Sequence, residues 1–188
     1  MSSQIKYQIP TEYGGHVMRS LEKEVFDLLP RNAVNVDVVV DEYLKSLSDE
    51  IIFRRVYRID QIKDNQLTGK PYRMFYLRES ADGADTLEFG YTPLIEAHRL
   101  LGFLYYQAIG VLTQVRTGFV LKNEIVEIPI VVNETKELGM FMEIGNSVGP
   151  ISHLHSVLNK LKTTIGLREE WLEPTSYKEL LIEESHAD

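Results

Sequence analysis

The order of strand-like and helix-like segments constrains this chain more than any other feature. Alternating polar and apolar residues, typical of half-buried strands, begin at residues 4–9 and return in several runs after residue 34. Apolar residues at helical spacing appear in isolated segments, at 16–29, 92–101 and 151–165. Runs of strands broken by single helices favour an α+β fold with an antiparallel sheet, because a doubly wound parallel sheet would alternate strand and helix regularly.

The alternation also predicts the kind of sheet. The predicted strands cover residues 4–9, 34–44, 50–60, 72–79, 86–89, 103–120 in two pieces about Gly110, 124–132 and 139–144. One polar and one apolar side per strand suits a sheet with a solvated face or a barrel with a polar lumen. We therefore predict an antiparallel β-barrel or tunnel of about eight strands with flanking helices, with residues 1–188 forming a single domain.

Glycine, threonine and proline mark the ends of the predicted elements. Pro10, Gly14 and Gly15 are expected to end the first strand region, before a helix that begins at His16. Thr92 is a predicted N-cap, followed by proline at the first helical position. Gly166 is predicted to end the third helix.

Composition restricts the partners and the compartment. The chain of 188 residues has a formal net charge of −8, and its longest basic run is Arg54-Arg55. A protein that binds a phosphate backbone has a basic face, so we expect neither general nucleic-acid binding nor membrane binding. The chain contains no cysteine, which removes disulfides and thiolate metal ligands, and we recognise no signal peptide or membrane span. We therefore expect a cytoplasmic location.

Charged side chains recur on the strand faces opposite the apolar rows, where period-two alternation places residues i and i+2 together. If these faces converge in a lumen, arginine and lysine suit phosphate oxygens, and carboxylates suit a divalent cation that bridges phosphates. The predicted phosphate-binding residues are Lys6, Arg54, Arg58, Arg78 and Arg116, and the predicted metal ligands are Glu88, Glu127 and Glu143. The alternative is that these charges lie on a solvated outer face or pair with one another.

The C-terminal part of the chain carries an ordered set of short motifs. Residues 128–133 read Ile-Pro-Ile-Val-Val-Asn, and residues 137–144 read Glu-Leu-Gly-Met-Phe-Met-Glu-Ile. A helix, Ile-Gly-Leu at 165–167 and Ser-Tyr-Lys-Glu-Leu-Leu at 176–181 follow. In this order the motifs over 119–182 resemble the C-terminal half of the CYTH superfamily, and of class IV adenylate cyclases in particular. The N-terminal half is only loosely similar.

The resemblance implies a tunnel of antiparallel strands that binds a triphosphate together with Mg²⁺ or Mn²⁺. Basic residues would hold the phosphates and acidic residues the metal. Several acidic motif positions are replaced in this chain. The family's Glu-x-Glu-x-Lys reads Ser2-x-Gln4-x-Lys6, its strand-ending aspartate is Asn133, and the second acid of its Glu-x-Glu is Gly145.

The remaining motif positions match in part. The family's Arg-x-Glu reads Thr86-x-Glu88, and its Lys-x-Arg reads Gln114-x-Arg116. Arg78 corresponds to a mid-chain lysine, while Arg54 and Arg58 are the candidates for an Arg-x-Arg pair that has no clean match. Most cationic positions keep a charge and most metal-binding carboxylates do not. This pattern weakens metal binding, and with it turnover, more than ligand binding.

The sequence leaves three functions open. The first is a metal-dependent enzyme, an adenylate cyclase or a triphosphatase, acting on a nucleoside triphosphate or inorganic triphosphate. The second is a catalytically inactive sensor of a nucleotide or polyphosphate. The third is a scaffold or interaction protein that uses the same barrel. The predicted partner in the first two is a small anionic ligand, a homodimer is left open, and no catalytic residue is identified.

Overall fold

Strands and isolated helices follow one another along the chain in a computed structural model that describes residues 5–28, 35–47, 49–63, 66–80, 83–89, 94–122, 127–145 and 150–185. The strands are β1 (Ile5–Ile9), β2 (Asn35–Lys45), β3 (Glu50–Arg58), β4 (Ile62–Lys63), β5 (Gln66–Leu67), β6 (Arg73–Ser80), β7 (Gly83–Phe89), β8 (Gln107–Lys122), β9 (Glu127–Thr135) and β10 (Gly139–Ile144). The helices are α1 (Thr11–Leu28), α2 (Leu94–Phe103), α3 (Ile151–Ile165) and α4 (Tyr177–Ser185).

Eight of these strands form one antiparallel sheet with the order β1-β10-β9-β8-β2-β3-β6-β7. Strands β4 and β5 form a separate two-stranded ribbon. The predicted α+β class, with an antiparallel sheet of about eight strands and flanking helices, is confirmed. The strand order has two edges, β1 and β7, so the pairings within the described part of the chain do not close the sheet.

The chain divides into two compact units. The first unit combines Met1–Val36 with Arg116–Thr175, and the second combines Asp37–Val115 with Ser176–Asp188. Strand β8 contributes its first half to the second unit and its last half to the first. The single domain that the sequence predicts over residues 1–188 stays a prediction.

The core of the first unit lies between one face of β1, β8, β9 and β10 and the helices α1 and α3. Every second residue of these strands is buried in it, and so are the apolar stripes of both helices. Its members include Tyr7, Ile9, Val17, Leu21, Phe119, Ile128, Ile130, Val132, Met142, Ile144, Leu161 and Ile165. Burying side chains of this size contributes about 1.5–3 kcal/mol each, so the strand face turned to the helices is fixed. The other face is left for polar residues.

The second unit has a core of its own, between helix α2 and one face of β2, β3 and β6. The buried residues there are Leu44, Ile51, Phe53, Met74, Ala97 and Leu101. Helix α4 also belongs to this unit, and the Nζ atom of Lys178 lies 2.5 Å from a carboxylate oxygen of Glu50 on β3.

Two local expectations are corrected by the structure. Gly14 and Gly15 lie inside α1 instead of ending the strand region. Gly14 is buried there, and a Cβ atom at this position would lie 3.0 Å from Met140 Cε on β10, so the glycine permits close packing. Strand β8 continues through Gly110 without a break. Helix α4 was not predicted as an element. The predicted N-cap Thr92 lies outside the described residues.

Helix α3 and strand β10 begin and end where the sequence predicts. Gly166 has a φ of 76° at the C-terminal end of α3, as a glycine stop requires. No helix in the described residues is long and apolar enough to span a membrane.

Candidate functional site

The first unit presents a polar strand face opposite its helices. On this face Lys6 of β1 lies directly opposite Glu143 of β10, and Phe141 lies opposite Asn133 of β9. The residues that alternate with them belong to the core, so these four side chains share the other side of the sheet. The alternation in the sequence predicts this placement of Lys6 and Glu143.

Three side chains on this face are hydrogen-bonded to one another and form the Arg–Asn–Glu cluster of Arg116, Asn133 and Glu143. Arg116 Nε donates to Asn133 Oδ1 at 3.0 Å, and Arg116 Nη2 donates to Glu143 Oε2 at 3.4 Å. Asn133 Nδ2 donates to Glu143 Oε1 at 3.0 Å. Asn133 and Glu143 are 0% and 4% exposed. The cluster therefore pairs a buried carboxylate with a guanidinium that keeps a quarter of its side chain exposed.

Lys6 is positioned by the chain segment that follows α3. Its ammonium group donates to the Thr175 carbonyl oxygen and lies 5.3 Å from the centre of the Phe141 ring. The backbone N–H of Glu173 donates to the Lys6 carbonyl oxygen at 2.9 Å. Hydrogen bonding to Thr175, with a further contribution from the Lys6 charge, lowers the pKa of Glu173. The segment thus holds both the backbone and the ammonium group of Lys6.

The second unit contains a comparable buried group that the sequence analysis did not identify. Arg54 donates to both oxygens of Asp41, at 2.7 Å each, and Gln114 Nε2 donates to Asp41 Oδ2 at 3.0 Å. Asp41 is 0% and Gln114 1% exposed, and Gln114 Oε1 accepts no hydrogen bond from the described residues. An aspartate inside the apolar run of β2 signals such a group, because a buried carboxylate requires a partner.

The strand register separates Arg78 from Arg54, which corrects the expectation that both share one polar face. Arg54 of β3 lies opposite Phe75 of β6. Residues of β6 that are an odd number of positions from Phe75 point the other way, and Arg78 therefore shares the face of buried Met74. There Arg78 Nε donates to Asp49 Oδ1 at 3.1 Å. The alternation within β6 is as predicted, but the register with β3 cannot be read from it.

The other predicted residues of the second unit lie on the face of Arg54. Glu88 of β7 lies opposite Phe75 and pairs with Arg73 at 3.0 Å, which lowers the pKa of Glu88. Arg73 was not a predicted site residue. Arg58 is exposed, and its side chain forms no ion pair with the residues that the structure describes. The expected assembly of cations is thus only partly realised within this unit, since Arg54 is paired with Asp41 and Arg78 lies on the other face.

The predicted metal ligands do not meet in one place within either unit. Glu127 lies on β9 four residues from Val131, which is the register partner of Glu143. That spacing is about 13 Å along a strand, and side chains on one face of a sheet stand roughly parallel to one another, so the two carboxylates do not converge on one ion. No group of three histidine or acidic residues in the described ranges could hold a metal ion. The residues present therefore do not fit a metal site built from several protein carboxylates.

Comparisons with known proteins identify the fold. No protein-family model and no curated protein matches the sequence. Among solved structures, a conserved hypothetical protein from Pyrococcus furiosus is similar with a TM-score of 0.61 and 17% identity, covering 96% of this chain and 99% of that one. A protein from Vibrio parahaemolyticus that has been proposed to be an adenylate cyclase is similar with a TM-score of 0.61 and 14% identity, covering 96% and 97%.

A third structure is the triphosphatase of the mimivirus capping enzyme, with a TM-score of 0.50 and 10% identity over 87% of this chain and 89% of that one. At these identities the likeness shows a shared fold. It extends over nearly the whole chain for the two bacterial and archaeal proteins.

Proposed function

We propose that this protein belongs to the CYTH superfamily and binds the triphosphate group of a nucleotide, or an inorganic triphosphate or polyphosphate. The observation that carries the proposal is the Arg–Asn–Glu cluster beside Lys6 on the polar face of the first unit. The shared fold with a proposed adenylate cyclase and a capping-enzyme triphosphatase supports it. We further propose a cytoplasmic location, and a homodimer stays a prediction.

The geometry of Arg116 suits the recognition of phosphate oxygens. A guanidinium group offers five N–H donors in a planar fork, and two of its nitrogens in Arg116 are already engaged on one edge. Among the described residues, none accepts a hydrogen bond from Nη1. A side chain held in this way loses little conformational freedom on binding, because Asn133 and Glu143 have already fixed its orientation. Lys6 adds a compact positive charge on β1, directly opposite Glu143 of β10.

The predicted phosphate ligands of the second unit differ in their readiness to bind. Arg58 is exposed and without an ion pair to described residues, so we retain it as a phosphate ligand. Arg54 is committed to buried Asp41 through two short hydrogen bonds, which leaves it fewer donors for a ligand. The roles of Arg54, Arg58 and Arg78 in binding phosphate stay predictions.

The test is calorimetric titration of inorganic triphosphate and ATP into the wild type and the variants Arg116→Ala, Arg116→Lys and Arg19→Ala. Loss of a fork-shaped charged donor removes about 1–3 kcal/mol, so we expect Arg116→Ala to weaken binding by about 10- to 100-fold. Arg116→Lys keeps the charge but not the forked geometry, so we expect its affinity to lie between those of the wild type and Arg116→Ala. Arg19 is exposed on α1, on the helical side of the first unit, and serves as the matched control.

Circular dichroism of each variant checks the fold, because Arg116→Ala leaves Glu143 buried without its guanidinium. Equal affinities for the wild type, Arg116→Ala and a Lys6→Ala variant would rule out this face as the binding site.

The second candidate is a metal-dependent enzyme, an adenylate cyclase or a triphosphatase. The fold shared with proteins described in those terms is the observation in its favour. It would use Mg²⁺ or Mn²⁺, for which the sequence predicts Glu88, Glu127 and Glu143 as ligands, although these glutamates do not meet within either unit and no acidic group of three among the described residues fits a metal. Product analysis of the titrated samples separates the candidates, because only the enzyme yields cyclic AMP, pyrophosphate or phosphate. Binding without any product identifies a sensor.

A further inference from the structure

The hydrogen bonds of Glu143 show which positively charged group this carboxylate contacts. Oε2 accepts from Arg116 and Oε1 accepts from Asn133, in a side chain that is 4% exposed. Asn133 in turn uses its oxygen for Arg116 and its NH₂ group for Glu143. Because the asparagine is neutral, Arg116 is the positively charged member of the cluster, and it donates directly to Glu143.

A divalent cation at Glu143 would compete with these contacts. It would have to approach oxygens that the guanidinium and the amide already occupy, and it would repel the guanidinium. Asn133 would supply a neutral oxygen that already accepts a hydrogen bond from Arg116 Nε. Hard cations prefer sites with several free, charged oxygen ligands, and the charge count of the ligands sets their affinity. The Arg–Asn–Glu cluster lacks this charge.

We propose that Arg116 takes the place of a divalent cation at Glu143, so that the protein binds its triphosphate ligand without a metal ion of its own. This inference rests on the proposed function for the identity of the ligand. It assigns Asn133 a specific role. An aspartate at that position would add a second carboxylate beside Glu143, which favours a divalent cation, and the neutral amide avoids this added charge.

The first experiment measures metal binding without any phosphate ligand. Purified protein is titrated with Mn²⁺ alone, and the free ion is followed by electron paramagnetic resonance for the wild type, Asn133→Asp, Glu143→Gln and Asn159→Asp. We expect the wild type and Glu143→Gln to bind Mn²⁺ equally weakly, and Asn133→Asp to bind it at least about tenfold more tightly. Asn159 is exposed on α3, so Asn159→Asp adds the same charge away from the cluster and controls for net charge.

The second experiment measures inorganic triphosphate binding in EDTA and in Mg²⁺. We expect the wild type to bind triphosphate at least as tightly in EDTA as in Mg²⁺, because the guanidinium of Arg116, and not a metal ion, binds the anion.

Several results would overturn the inference. One is tight Mn²⁺ binding by the wild type that Glu143→Gln abolishes, and another is a folded Asn133→Asp variant with no gain over Asn159→Asp. A third is triphosphate binding that requires Mg²⁺. If Asn133→Asp does not fold, the Mn²⁺ affinities of the wild type and Glu143→Gln still test the inference. The Mn²⁺ titration contains no phosphate, so failure of triphosphate to bind overturns the proposed function and leaves the metal result standing.

Discussion

At the scale of single residues, the two units solve the same problem in the same way. Each buries one carboxylate, Asp41 or Glu143, and each pairs it with an arginine and a side-chain amide. A buried carboxylate without a partner is costly, so these contacts hold the arginines in place. The sequence alternative in which charged residues pair with one another thus applies to Arg54 and Arg116.

The Asp41 group makes a stability prediction. Asp41→Asn should lower the free energy of unfolding by about 3 kcal/mol, because it removes the charge that balances Arg54 inside the second unit. Glu88→Gln is the matched control, since it removes a carboxylate from an ion pair whose two side chains are about half exposed. Such exposed pairs contribute little.

Urea unfolding of both variants measures the difference. We expect a clearly lower midpoint for Asp41→Asn and a midpoint near that of the wild type for Glu88→Gln. Equal midpoints for the two variants would contradict a structural role for the buried pair.

At the scale of elements, hydrophobic periodicity predicts a segment well when one face of it is buried. Strand β10 and helix α3 have this property, and their ends were predicted correctly. Hydrophobic periodicity does not explain Gly14, which lies in a helix. Its lack of a side chain allows close packing against Met140 on another element. In α4 the residues Leu180, Leu181 and Ile182 are adjacent, so the sequence lacks helical spacing and the packing of this helix could not be foreseen.

Two glycines at helix C-termini give opposite predictions for the same substitution. Gly166 has a φ of 76°, and its N–H donates to the Lys162 carbonyl at 2.9 Å, so Gly166→Ala should destabilise the protein by about 1 kcal/mol. Gly102 lies within α2, and a Cβ atom there would meet nothing within 4 Å.

We therefore expect Gly102→Ala to stabilise the protein by about 0.5–1 kcal/mol, since alanine reduces the freedom of the unfolded chain. Thermal unfolding of the two variants beside the wild type gives the signs directly. A stabilising Gly166→Ala would show that the left-handed conformation at that position is not required.

At the scale of the whole molecule, the sequence predicts the fold class and the faces of single strands, but not how the strands pair. Alternation assigns Lys6 and Glu143 to the same side because both are opposite the apolar row of their own strand. The registers are set by cross-strand contacts far apart in sequence, and only they show that the face of Arg78 is not the face of Arg54. The partners Asp41 and Asn133 were missed as partners for the same reason.

The charge of the whole chain separates a small anionic ligand from a polyanion. With a net charge of −8 and no basic run longer than Arg54-Arg55, the protein lacks the basic stretch that a phosphate backbone requires. We expect no binding of a fluorescent DNA duplex at physiological salt, at protein concentrations that bind inorganic triphosphate. Fluorescence anisotropy checks this expectation. Duplex binding that weakens steeply with salt would mean that a basic surface exists and that the ligand class has been misjudged.

The division of the first unit between two distant stretches of chain has a consequence for how the protein is made. Ile5 pairs with Ile144, so β1 has no neighbour in its sheet until β10 has been synthesised. The middle of the chain, Asp37–Val115, is continuous and can begin to fold on the ribosome before β10 is available to pair with β1. Loop closure across such a separation is paid before the contacts form, which slows this step relative to the local pairing of β6 with β7. During that interval β1 presents unpaired backbone groups and the apolar side chains of Tyr7 and Ile9. Correct folding of the nascent chain therefore depends on β1 not pairing with another strand before β10 is available.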